Sequence, residues 1–82
     1  MQRDLHAARQ IIELREDLGL SPEDLSYLIS RTSPKTPVSG RTIRRVEAVG
    51  AIPTPRVKFG IAVAFGLKPS DLWGPARNRM AA

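Results

Sequence analysis

Residues 40 to 50 read GRTIRRVEAVG, with arginine at Arg41, Arg44 and Arg45. A guanidinium stays charged at any physiological pH and presents five N–H donors in a planar fork. That fork matches a carboxylate, a phosphate or the O6/N7 edge of guanine bidentately. On a helical wheel with Arg41 at zero, Arg44 falls at about −60°, Arg45 at about +40° and Ala48 at about −20°. Ile43 and Val46 fall at about 200° and about 140°. The spacing therefore predicts a helix that presses aliphatic side chains onto a core and turns three guanidinium groups outward. The plain alternative is a solvated arginine face, and an isolated helix does not separate the two.

Other chemistries find little support. The chain has no cysteine and one histidine, His6, which argues against a disulfide framework, a Cys/His zinc site and thiol nucleophilic catalysis. There is no glycine-rich phosphate loop and no histidine-based dyad. Glu16 with Asp17, and Glu23 with Asp24, read as helix-surface and helix-start charges. No catalytic residue, metal site, cofactor or small-molecule ligand is expected, and an enzyme is the weakest proposal.

Charge is unevenly distributed. Residues 1–30 carry three arginines against six Asp/Glu, a net of −3, whereas residues 31–82 carry ten Lys/Arg against Glu47 and Asp71, a net of +8. A basic half of this kind is the electrostatic footprint of a polyanion binder, because each cation brought near a phosphate releases a condensed counterion. Solubilising surface charge is the alternative. The opening MQRDLHAARQ lacks the apolar stretch of a secretory signal. The longest apolar run, FGIAVAFGL, is about half the roughly 20 residues needed to span a bilayer. A cytoplasmic protein with no membrane partner is expected.

Five helical patterns position these residues, and no segment alternates as a strand would, so the expected fold class is all-α. The first runs from about Asp4 to Leu18 and stops at Gly19. The second opens on Ser21-Pro22, a cap followed by a first-turn proline, and turns Leu25, Leu28 and Ile29 inward. Ser39 caps the third, in which Ile43, Val46 and Val49 recur until Gly50. Thr54-Pro55 opens the fourth, with Val57, Ile61, Ala64 and Phe65 on one face and Gly66 as the stop. The fifth begins near Pro69 and includes Asp71, Leu72 and Trp73. Gly60, inside the fourth, costs roughly 1 kcal/mol relative to alanine and marks either close helix packing or a weak point. Trp73 and Phe65 read as core contacts beneath the fifth helix. Residues 1–74 form one domain, and residues 75–82, with Arg77 and Arg79, read as a basic, flexible tail.

Three blocks in order, IIELREDLGLSPEDLSYL, TIRRVEAVG and PRVKFGIAVAFGLKPSDLW, resemble the lambda-repressor-like, or Cro/C1-type, helix-turn-helix domain of phage repressors and bacterial regulators. The resemblance covers about residues 8–73. It implies a compact five-helix domain whose third helix, about 39–49, enters the major groove of a double-stranded DNA operator. At matched positions it implies base contacts from Gly40, Arg41, Arg44 and Arg45. Ser39 and Arg56 match cap and phosphate-contact positions, and Thr42 joins the phosphate set. It also implies an internal ion pair between Arg15 and Glu47. The wheel places Glu47 at about 240°, away from the arginines and toward the edge of the core, where a carboxylate needs such a partner.

Two departures stand out. Residues Arg31 to Pro37 look inserted between the second and third helices, and proline biases Ser33 and Thr36 toward extended backbone. Such a loop is either a stiff segment that brings Arg31 and Lys35 to a phosphate strand or a tolerated insertion. Pro22 stands where many relatives carry a DNA-contacting glutamine, which shifts phosphate anchoring toward Lys35, Arg56 and Lys58. The resulting expectation is a sequence-specific transcriptional regulator of the phage repressor or Cro-like kind, with a homodimer on paired half-sites left open. The alternatives are an antitoxin-type or other protein-interaction module with secondary DNA binding, and a nonspecific binder of RNA or an anionic membrane surface.

Overall fold

The computed structural model describes residues 3–74. It contains five helices: α1 (Leu5–Asp17), α2 (Pro22–Thr32), α3 (Gly40–Val49), α4 (Pro55–Ala64) and α5 (Pro69–Trp73). Among the described residues there is no strand, only an isolated antiparallel bridge between Arg3 and Ala51. No helix among them is long and apolar enough to cross a membrane. The tail expected at 75–82, with Arg77 and Arg79, lies outside the described residues.

Helix starts follow local chemistry. Asp4 accepts from the Ala7 amide, Ser39 from that of Thr42 and Thr54 from that of Val57, each satisfying a donor that has no partner within its own helix. At α2 the bond is reciprocal. Ser21 Oγ accepts from Asp24 N, and the Asp24 carboxylate accepts from Ser21 N, both at 3.0 Å. Proline stands in the first turn of α2, α4 and α5, where its missing N–H would have found no helical acceptor anyway. Gly50 closes α3 with φ of 69°, and a Cβ there would come within 2.8 Å of the Leu5 side chain.

The core gathers Ile11 from α1, Leu25 and Ile29 from α2, Ile43 and Val46 from α3, Ile61 and Ala62 from α4, and Leu72 from α5, together with Val38. Leu28, Val57, Phe65 and Trp73 pack against it half-buried. α3 rests on α1 and α2, while α4 joins α2 to α5 and α5 returns to α1. Leu5, Leu18 and Val49, although they keep helical spacing, are exposed.

The segment read as an inserted loop differs from expectation. Arg31 and Thr32 belong to α2, which ends at Thr32. Pro34 restricts only the residue before it, so the helix persists until Ser33, which takes φ −140° and ψ 70°. From Ser33 the chain makes a turn, in which Thr36 N donates to Ser33 O at 2.9 Å with Pro34 at the second position. Ser33, Thr36 and Val38 are all buried, and Ser26 Oγ donates to the Val38 carbonyl. Gly60 explains how the segment fits. A Cβ at Gly60 would stand 3.2 Å from Ile29 Cγ2 and 3.3 Å from Thr36 Cγ2. The glycine is thus a close-packing position, and the segment before α3 is seated in the core through it.

Candidate nucleic-acid interface

α3 carries the two faces that its sequence separates. Ile43 and Val46 are 0% and 3% exposed, while Arg41, Arg44, Arg45 and Ala48 lie on the exposed side. The arginines are turned outward because the aliphatic pair opposite them cannot leave the core without losing about 1.5 to 3 kcal/mol per side chain.

Glu47 takes a different direction. Its carboxylate accepts side-on from one edge of the Arg15 guanidinium, with Nε donating to Oε2 at 2.8 Å and Nη2 to Oε1 at 2.9 Å. The third nitrogen, Nη1, donates to the Leu20 carbonyl at 2.8 Å. The two side chains are 13% and 9% exposed. The hydrogen bond to Glu47 holds the Arg15 pKa above its ordinary value, against the opposing effect of burial. One guanidinium therefore fastens α3 to the end of α1 and also satisfies a carbonyl of the turn into α2. The end of α3 is tied separately, by Asp4 N donating to Gly50 O at 2.8 Å.

At the start of α3, Ser39 Oγ caps Thr42 N and lies 3.1 Å from Thr42 Oγ1, so both hydroxyls already have protein partners. Gly40 is the first residue of the helix. Of the other expected phosphate contacts, Lys35 in the turn and Arg56 in the first turn of α4 are exposed. Arg31 folds back along α2, its Nη1 donating to Tyr27 Oη at 3.1 Å with the guanidinium 5.8 Å from the ring centre. Lys58 directs its ammonium toward the Trp73 ring, also at 5.8 Å. The structure thus gathers Gly40, Arg41, Arg44 and Arg45 on one helix with Ser39 and Thr42 at its capped start. Arg31 and Lys58 are engaged by aromatic rings of the domain itself.

One residue of this surface has no signal in the sequence. Glu23, whose position marks it as a helix-start charge, forms an ion pair with Arg44. Opposite charges 21 positions apart give no local pattern. Only the packing of the first turn of α2 against the first half of α3 brings them together. Among the described residues, Arg41 and Arg45 have no ion-pair partner, and no group of His, Asp or Glu side chains gathers to hold a metal ion. Chemically, the surface is an outward set of rigid N–H donors with net positive charge. It suits phosphate oxygens and the acceptor edges of bases.

No protein-family model matches the chain, and no curated protein and no solved structure matches it.

Proposed function

We propose that the protein is a sequence-specific, double-stranded DNA-binding regulator. In this reading α2 and α3 form a helix-turn-helix of the lambda-repressor-like kind, and α3 enters the major groove. The observation that carries it is the outward set of Arg41, Arg44 and Arg45 on a helix whose reverse side, Ile43 and Val46, is buried. Gly40 and the three arginines face base edges. Lys35, Arg56, Ser39 and Thr42 serve the phosphates beside them. Arg31 and Lys58, whose remaining donors are not taken up by Tyr27 and Trp73, join the phosphate set.

Selection of bound duplexes from a random pool tests the reading directly. A consensus is expected, and its form separates a single half-site from the paired half-sites of a homodimer. Arg44→Ala or Arg45→Ala should then weaken binding to the selected sequence by about 5- to 150-fold, the equivalent of roughly 1 to 3 kcal/mol for a bidentate base contact. Binding to random duplex should weaken far less. Both variants binding the selected sequence as tightly as the parent would sink the assignment of base contacts.

A second reading draws on exposed apolar side chains. Leu5, Val49 and Ile52 are 63%, 42% and 38% exposed, and the backbone bond from Asp4 to Gly50 brings their segments together. This favours a protein-interaction module, and absence of any duplex binding at low salt would promote it above the first.

A further inference from the structure

The three outward arginines of α3 are not equivalent. Arg44 is paired with Glu23, the second residue of α2, and the two side chains are 58% and 55% exposed. Capping at that end of α2 is already provided by Ser21 and Asp24, so Glu23 is not needed to satisfy the helix start. Its carboxylate lies across Gly40, where a Cβ would stand 2.9 Å from Oε2. With no side chain at the first residue of α3, nothing there stands in the path of this acid to Arg44. A solvated ion pair of this kind contributes little to folding. Its consequence falls instead on what the Arg44 guanidinium can bind.

We infer that Glu23 is a specificity-determining residue, a carboxylate that makes the Arg44 contact conditional on base identity. The inference rests on the duplex-binding reading above and deepens it. A guanidinium has five donors, so Arg44 can keep Glu23 on one edge and offer the other to the neutral acceptors of a base. A phosphate meets a different situation. It brings a negative charge up to a negative charge, and it gains Arg44 fully only by displacing the carboxylate. Glu23 therefore disfavours binding that relies on phosphates alone, while leaving base reading open. Arg41 and Arg45, with no such partner among the described residues, carry no equivalent restraint.

The test compares the parent with Glu23→Gln, Arg44→Gln and the double variant. Each is titrated against a random-sequence duplex somewhat over two helical turns long, across a series of salt concentrations. Thermal melts establish that all four are folded. Glu23→Gln is expected to bind random duplex about 3- to 10-fold more tightly, and its plot of log affinity against log salt should steepen by about 0.9, one additional phosphate. The gain should vanish in the Arg44→Gln background. No change in affinity or slope for Glu23→Gln would overturn the inference. So would an equal gain with and without Arg44, because the carboxylate would then act by general repulsion. These outcomes presuppose a parent that binds duplex. A parent that binds no duplex at low salt removes the underlying function, and the role of Glu23 falls with it.

Discussion

Glu47 sits on a helix rich in arginine, yet it addresses none of them and reaches instead to Arg15 on α1. The pair is largely shielded from solvent, and removing one member leaves the other charge without its counterpart. That is the case in which an ion pair matters, since a buried charge stripped of its partner typically costs about 3 to 5 kcal/mol. Glu47→Ala is accordingly expected to destabilise the domain by about 3 kcal/mol in urea unfolding, and Arg15→Ala by a similar amount, with the Leu20 carbonyl also losing its donor. The raised Arg15 pKa gives stability that is fully present below the ordinary arginine value and lost only as pH rises beyond it. From the arginine side, the pair is insensitive to pH throughout the range in which the protein can be handled. An unchanged unfolding midpoint for both variants would remove the pair from any account of how α3 is held. The wheel position of Glu47 points to the core edge, but only the resemblance supplies Arg15 as its partner. Glu23 has no such pointer, because its contact depends on where two helix ends meet.

Helix boundaries rest on a few capping groups, and α2 shows this with a measurable pH signature. The Asp24 carboxylate is held below the ordinary value of 3.8, chiefly by the Ser21 amide and next by the Ser21 hydroxyl. A lowered carboxylate pKa means stability present above the unfolded value and lost as pH falls through the folded one. The capping contribution should therefore be intact at neutral pH and fade below about 3.8. Asp24→Asn should lower stability at neutral pH and flatten that part of the acid limb in unfolding measured across pH, whereas an unaltered acid limb would refute the role. The starts of α2, α3 and α4 are legible in the sequence because Ser21-Pro22, Ser39 and Thr54-Pro55 act within a turn of themselves. The end of α2 is not, because two prolines and several polar residues resemble a loop while, of Arg31, Thr32 and Ser33, only Ser33 precedes a proline and is directly restricted. Burial of Thr36 and Val38 is also hidden. That of Thr36 involves its close approach to Gly60, a fact of tertiary packing with no periodic trace in the segment itself.

Across the whole molecule, the acidic first 30 residues and the basic remainder meet along α3, which rests on α1 and α2. Composition makes that polarity legible, and the helical period makes the opposed faces of α3 legible. Neither reveals the fastening. α3 is held near its start through the buried Val38 segment and Ser26, near its middle through Arg15 and at its end through Asp4. A helix moored at three places has no inexpensive way to fray or swing by itself. Its interior amides should exchange with deuterium only when the entire domain opens, at rates matching those in the middle of α1. Markedly faster exchange across residues 43–49 would show a loosely hung element. Slow exchange would mean that whatever meets those guanidinium groups encounters a backbone stamp already set, leaving the arginine side chains as the chief ordering cost on contact.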